Sequence, residues 1–483
     1  MSERSLVKNS IYNVFYKLLN VLFPLVSATY VARVILAKGV GEVAYAQNIV
    51  SYFSTIAALG IPNYGTREIA KFKNNLEKRN IVFSELFIIN FISTIICTIA
   101  YYFMISTLEV FQNQLALFNI IGLTIIFNIF NVDWFYQGEE EFKYIATRSF
   151  VIKLLSLIAI FLFVKDQSGV IAFALISTIA VVGNNLLNII NLKKHHVKLS
   201  IKHLRFRHHM KPILYLLMSV ISVEIYTMLD TTMIGMLGNA KQVAYYTNSM
   251  KLVKILISVI TSIGSVLLPR MMLYHSLGKI DECSHIVSKV TSIMLILFIP
   301  SQIGIFMLAH NITLILFGSS FLPAVKTLQI FSFLICGLGF SNLFGTQVLL
   351  TFSAEKKLLI STLFGAAVNV LLNLILIPSF AQNGAALASV ISETTVTIIS
   401  IYYAVQFINI KLDKQFIIAT LISNICLIAV LSLLSIVVTS PLLNLIFSVS
   451  LGAFIYFIIN MILKNPIIND FKELIDKRKA KNK

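Results

Sequence analysis

Acidic charge is scarce in this chain. Asp and Glu number 21 among 483 residues, and charged residues of both signs make up only 12%. Soluble domains carry about a quarter charged residues, so soluble-enzyme readings are excluded. Cysteine is also rare, with four in all. Cys97, Cys336 and Cys426 lie in apolar runs and Cys283 in a connecting segment, which suggests neither a disulfide framework nor a metal knuckle. The sequence holds no Gly-rich phosphate loop and no His-Glu-x-x-His pattern, and no catalytic constellation is expected. The apolar runs do not alternate over ten residues, which argues against a β-barrel. No short apolar region with a small-residue cleavage site follows the polar opening 1–10, so no removable signal peptide is expected.

What is present instead is apolar length. Hydrophobic residues make up 57% of the chain, and its mean hydropathy is +0.85. A helix needs ~20 apolar residues to cross a ~30 Å hydrocarbon core. Windows of that size predict spans over 9–35, 42–62, 81–106, 112–136, 146–164 and 168–191. They continue over 213–238, 242–268, 287–308, 323–352, 356–379, 383–408, 414–437 and 441–463. The fold class expected is an all-α integral membrane protein with about 14 transmembrane helices.

A formal net charge of +18 suggests at first a nucleic-acid binder, but its distribution excludes one. With the N-terminus inside, the two tails, the even-numbered loops and the span ends beside them hold 30 of the 39 Lys and Arg. The odd-numbered loops hold only Lys38, Lys165 and Lys241. This bias places both termini in the cytoplasm and the basic excess against anionic lipid headgroups. His195, His196, His203, His208 and His209 cluster in the most basic loop and are expected to belong to a solvated linker rather than a metal site.

The segment Gly41-Glu42-Val43-Ala44-Tyr45-Ala46-Gln47-Asn48 resembles Lys241-Gln242-Val243-Ala244-Tyr245-Tyr246-Thr247-Asn248. Gly169–Ser177 echoes Gly384–Ser392 at nearly the same offset. Together they point to a duplication of six helices. Six is even, so the halves share orientation, an arrangement that builds alternating-access carriers. The expected divisions are 1–209 (first lobe and basic linker), 210–410 (second lobe) and 411–483 (helices 13 and 14 with a basic tail).

Three stretches carry a family resemblance: Tyr30–Val34, Gly60–Ile69 and, most specifically, Asp133-Trp-Phe-Tyr-Gln-Gly-Glu-Glu-Glu-Phe-Lys-Tyr-Ile145. The chain resembles the polysaccharide-transporter family of Wzx-type flippases, in the superfamily shared with multidrug-and-toxin exporters and lipid II flippases. The resemblance implies a V-shaped pair of six-helix bundles. It also implies movement of undecaprenyl-diphosphate-linked oligosaccharide from the inner to the outer leaflet of the bacterial cytoplasmic membrane, for O-antigen or capsule synthesis. A polysaccharide polymerase and glycosyltransferases are the implied partners.

Charge inside the membrane marks the candidate site residues, because each such charge costs ~2.5–3.5 kcal/mol at mid-span. The basic set is Lys17, Arg33, Lys153, Lys251, Lys254 and Lys326. Lys251 and Lys254 share a helix face with Asn248 one turn earlier and would meet an anionic diphosphate in a hydrated cavity. Snorkelling to the interface is the alternative role for each of these basic residues, Arg33 and Lys326 lying nearest the outer edge. The acidic set is Asp133, Glu224, Asp230 and Glu393. Glu224, Asp230 and Glu393, with Asn369 and Asn373, supply hard oxygen ligands suited to coupling Na⁺ or H⁺; salt bridges to the cavity lysines are the competing role. No resident cofactor is expected. Two rival readings stay open: an ion-coupled multidrug exporter on the same fold, and a membrane enzyme of polysaccharide assembly. The second is opposed by outside loops of roughly 5 to 15 residues, too short to hold sugars.

Overall fold

The computed structural model describes the backbone of residues 23–200, 204–265 and 268–469. Side chains are described for these except at 219–227, 259–265, 268 and 269. The described residues form helices and turns with no strand. In chain order the helices are α1 (23–34), α2 (Leu36–Ala58), α3 (Ile61–Lys71), α4 (Leu76–Thr107), α5 (Glu109–Gln112) and α6 (Leu115–Ile126). Next come α7 (Asp133–Gly138), α8 (Phe142–Phe163), α9 (Val170–Leu192), α10 (Phe206–Leu237), α11 (Ala240–Ser265) and α12 (Leu268–Ser276). The last six are α13 (Ile280–Phe317), α14 (Ala324–Ser332), α15 (Leu334–Phe340), α16 (Glu355–Ala404), α17 (Lys414–Val437) and α18 (Pro441–Ile462).

Among the described residues, eight helical stretches are long and apolar enough to cross a membrane. Their faces are inverted relative to a soluble helix. On α4, Ser84, Glu85, Asn90 and Thr94 are buried, while Ile92, Ile95, Ile96, Ile99 and Phe103 are exposed. An apolar face this large is unfavourable in water and favourable against lipid. α4 starts where the Asn75 side chain accepts from the Lys78 N–H, 3.0 Å away. The Asp413 carboxylate likewise caps α17 by accepting from the Gln415 N–H at 2.6 Å.

α16 is a hairpin rather than a rod. Ala381, at φ 51°, reverses the chain, and the Ser392 hydroxyl donates to the Gly365 carbonyl at 2.6 Å across the two arms. The separate spans expected at 356–379 and 383–408 are therefore joined with almost no loop.

The expected span 112–136 is interrupted. After α6 the chain makes a 3₁₀ turn, Phe127–Phe130, before α7 begins. Carbonyls leaving helical geometry at membrane depth need donors, and buried amides supply them. Asn90 Nδ2 lies 3.3 and 3.4 Å from the carbonyls of Asn128 and Ile129, and Asn185 Nδ2 lies 3.2 Å from that of Phe127. The second half deviates at the corresponding place, where Ser341–Leu349 follows α15 as a π-helix. A further parallel links α3 and α12, short helices that open Ile61-Pro62 and Leu268-Pro269.

Contacts divide the chain into two compact units, residues 1–244 and 245–483. α10 packs on α2, α3 and α4 of the first unit. The division expected at 209/210 follows the sequence duplication; the contact boundary follows packing and lies after α10.

In the first unit α7, α8 and α9 are tied by one polar network. Arg148 donates from Nη2 to Asp133 Oδ1 at 2.9 Å and from Nε to Asn184 Oδ1 at 3.1 Å. Asn188 Nδ2 donates to the same Asp133 oxygen at 2.8 Å, and the Arg148 side chain is buried. Removing one partner of a buried ion pair leaves an uncompensated charge, at ~3–5 kcal/mol. Arg148→Ala should lower the thermal stability of the solubilised protein by that order. The double variant Arg148→Ala/Asp133→Ala should recover part of the loss, as measured by thermal unfolding.

Candidate functional site

The basic linker is exposed at Lys193, Lys194, His196, Lys198, Arg207 and His208, but His209 is not. His209, at the start of α10, is 3% exposed and Glu85 on α4 is 4% exposed. His209 Nε2 lies 2.7 Å from Glu85 Oε2, and its Nδ1 lies 2.8 Å from the hydroxyl of Tyr64 on α3. The Arg205 backbone N–H donates to the other Glu85 oxygen. His195 packs edge-on against Phe135 and Tyr136, and its carbonyl accepts from Arg79 at 2.5 Å. Arg79 also pairs with Glu139 at 3.1 Å and covers the Phe135 ring. The solvated-linker expectation thus fails for His209, which Glu85 and Tyr64 bury, while His195 is half-buried against aromatic rings. Among the described residues no three His, Cys, Asp or Glu side chains gather as metal ligands.

On α11, Lys251, Lys254 and Ser258 are exposed and Thr247 is half-buried, one face at spacings of 4, 3 and 4. Val253 and Ile257 are buried on the opposite side. Asn248 is 1% exposed, and neither its amide nitrogen nor its oxygen has a hydrogen-bond partner among the described residues. The residue one turn before the lysines on their own face is therefore Thr247; Asn248 sits about a quarter-turn away on the packed side. Arg33 on α1 and Lys326 on α14 are exposed, Lys153 on α8 is half-buried, and Lys17 lies outside the described residues.

The oxygen-rich candidates fall in separate places. Asp230 is 2% exposed on α10. Beside it Asn48 Nδ2 donates to the Met228 carbonyl at 3.1 Å and to Thr232 Oγ1 at 2.8 Å, while the Tyr52 hydroxyl lies 3.1 Å from Thr232 Oγ1. This patch docks on α2 in the first unit, whereas the sequence alone groups Asp230 with the second lobe. In the second unit Asn373 Nδ2 donates to Asn369 Oδ1 at 3.0 Å within the first arm of α16. Glu393, on the second arm, is buried, accepts from Ser341 at the start of the π-helix, and packs against Gly337. Thr397, one turn on, donates to the Gly337 carbonyl at 2.8 Å. π-helical segments recur at functional sites, and this one places a hydroxyl on a buried carboxylate. Glu224 is on α10, but its side chain lies outside the described residues.

Two clefts complete the picture. In the second unit an apolar cavity of ≈ 380 Å³ opens among α11, α13, α17 and α18, lined by residues such as Leu256, Pro300, Ile305, Leu431, Gly452 and Tyr456. In the first unit a polar cleft of ≈ 660 Å³ is bordered by Lys38, Glu42, Gln112, Asn113 and Gln114. Beside it, at the loop joining α8 to α9, the Ser168 hydroxyl and N–H donate to Asp166 and hold its carboxyl below the usual carboxylate range.

Residues 6–275 match the family model described as polysaccharide biosynthesis protein. Over 398 residues the chain is 22% identical to the putative O-antigen transporter of Escherichia coli, covering 82% of this chain and 96% of that protein. Over 267 residues it is 24% identical to the probable low-salt glycan biosynthesis flippase Agl15 of Haloferax volcanii. That match covers 54% of this chain and spans about half (55%) of the relative's length. Among solved structures, the lipid II flippase MurJ in its inward closed conformation superposes with a TM-score of 0.74 at 17% identity, covering 96% of this chain and 99% of that one. An inward-facing multidrug resistance MATE family transporter of the MOP superfamily gives 0.65 at 13% identity, over 80% and 93%. These likenesses assign the fold, one shared with multi-pass membrane transporters. The family model covers more than half of the sequence, and the chain belongs to the polysaccharide biosynthesis protein family.

Proposed function

We propose that this protein is a flippase for undecaprenyl-diphosphate-linked oligosaccharide, carrying the repeat unit from the inner to the outer leaflet of the bacterial cytoplasmic membrane by alternating access. The observation that carries the reading is the polar stripe Thr247, Lys251, Lys254 and Ser258 along α11, where the sequence places a span over 242–268. Two cations at that depth are unfavourable against hydrocarbon, and a hydrated path that receives a diphosphate removes the penalty. A carrier of cationic drugs would need the opposite sign of charge there. The apolar cavity bounded by α13, α17 and α18 is suited to a polyprenyl chain. Sugars would occupy the hydrated interior.

Lys251→Ala and Lys254→Ala should each reduce export of lipid-linked sugar about tenfold, the equivalent of one charge-assisted hydrogen bond, and the double change should nearly abolish it. Lys251→Arg should be better tolerated, since its charge and donors survive. Full polymer production by a well-expressed double variant would remove both residues from the mechanism.

In this reading both termini and the 192–212 linker face the cytoplasm, as the basic-residue bias requires. An impermeant thiol reagent on intact cells should label Asn239→Cys and spare Lys198→Cys, both exposed positions. The reverse pattern would invert the orientation.

Alternating access also needs a ligand that binds the two states unequally. We assign this coupling role to Na⁺ or H⁺ at one of two separate places: Asp230 on α10, the helix that also carries Glu224, or Asn369, Asn373 and Glu393 on α16 in the second unit. Asp230→Asn should slow turnover in proteoliposomes without lowering expression or lipid-substrate binding. Flipping that ignores Na⁺ and pH gradients would refute the coupling.

A further inference from the structure

The buried relay Tyr64–His209–Glu85 has no part in binding a diphosphate or a coupling cation in the reading above, yet it places an imidazole between a carboxylate and a phenol. Its three members come from α3, α10 and α4, and its geometry serves two protonation states equally well. With a neutral ring, Nε2–H donates to Glu85 and the Tyr64 hydroxyl donates to Nδ1. With a protonated ring, both nitrogens donate and the Tyr64 hydroxyl turns to accept. Both ring nitrogens keep their partners either way, so the difference at the ring is electrostatic. A neutral ring leaves the buried Glu85 carboxylate without a countercharge, whereas a protonated ring completes an ion pair.

The surroundings make the segment movable yet well seated. Facing the relay are Arg67 and Glu68 on α3, with Arg67 lying over the Tyr64 ring. On the relay's own helix, His208 lies against His209, and the Arg205 N–H meets Glu85. Gly60, just before α3, approaches α10 so closely that a Cβ there would lie 2.4 Å from the Ile213 carbonyl oxygen. Three residues after His209, Pro212 stands inside α10 and removes a backbone donor, a place where helices bend.

We infer that Tyr64, His209 and Glu85 form a proton-governed latch. Protonation of His209 fastens the first turn of α10, and the linker before it, onto α3 and α4; deprotonation loosens it. His209 acts as a positioning residue for α10 and touches no substrate.

The first readout is independent of the transport reading: amide hydrogen exchange of the full-length protein in nanodiscs at about pH 6 and pH 8, corrected for intrinsic exchange rates. Wild type should lose protection over 206–216 at the higher pH. His209→Gln, which keeps an N–H for Glu85 but cannot titrate, should abolish that pH dependence. Glu85→Gln keeps a hydrogen-bonding partner for the ring without its charge and should do the same, which holds the test open if one variant fails to fold. The second readout rests on the transport reading: the pH profile of flipping should flatten in His209→Gln relative to wild type. Equal pH dependence of protection in wild type and both variants would overturn the latch. Flattened protection with no measurable flipping in wild type would keep the latch and overturn the transport reading instead.

Discussion

The constraint on which the structure depends is that backbone polar groups at membrane depth have no water to turn to. Where helices continue, the backbone satisfies itself. Where they break, as at Phe127–Phe130, side-chain amides must be waiting, and Asn90 and Asn185 are there. The same need explains why buried faces of these helices carry Asn, Ser and Thr while outer faces carry Ile, Leu and Phe. At the far end of the chain, Asn444 Nδ2 donates to the carbonyl at Leu434, near the end of α17, and Asn311 on α13 donates to Asn444 at 2.8 Å.

The two halves show how one scaffold carries different chemistry. Both follow their second long helix with a short one opened by an apolar residue and Pro. Both also depart from α-helical geometry near residues 127 and 341. The first half follows its break with the Asp133–Arg148 pair, which ties α7 to α8. The second places Ser341 on a buried Glu393. Asn48 and Asn248, matched by sequence, also diverge. One seats α10 on α2; the other is buried beside a stripe of exposed lysines.

Much of this was legible in the sequence, because apolar length and basic asymmetry report the membrane directly. The family, the helical class and the transporter character follow from them and from the 133–145 block. Pairings across long separations were not legible. Nothing local to His209 says that Glu85, 124 positions earlier, sits against it, so a histidine in a run of Lys and Arg reads as solvated. Helical spacing put Asn248 with Lys251, but a three-residue step leaves a 60° offset, and packing of α11 buried that edge. Asp230 was grouped by chain order with the second lobe, while α10 packs back on α2. The break after Ile126 is hidden in the sequence because Phe127, Ile129 and Phe130 carry the apolar run through it.

The α16 hairpin bears on how the chain acquires its orientation. Between Leu376 and Gly384 there is no charged residue and almost no loop, since the turn at Ala381 folds one arm directly onto the other. Orientation by basic residues cannot be read at that end. Lys356 and Lys357 at one mouth of the hairpin, and Lys411 and Lys414 at the other, hold the only nearby signals, and they lie on the same side. The two arms therefore share one topological instruction and must enter the bilayer as a pair, so that an error in one is an error in both.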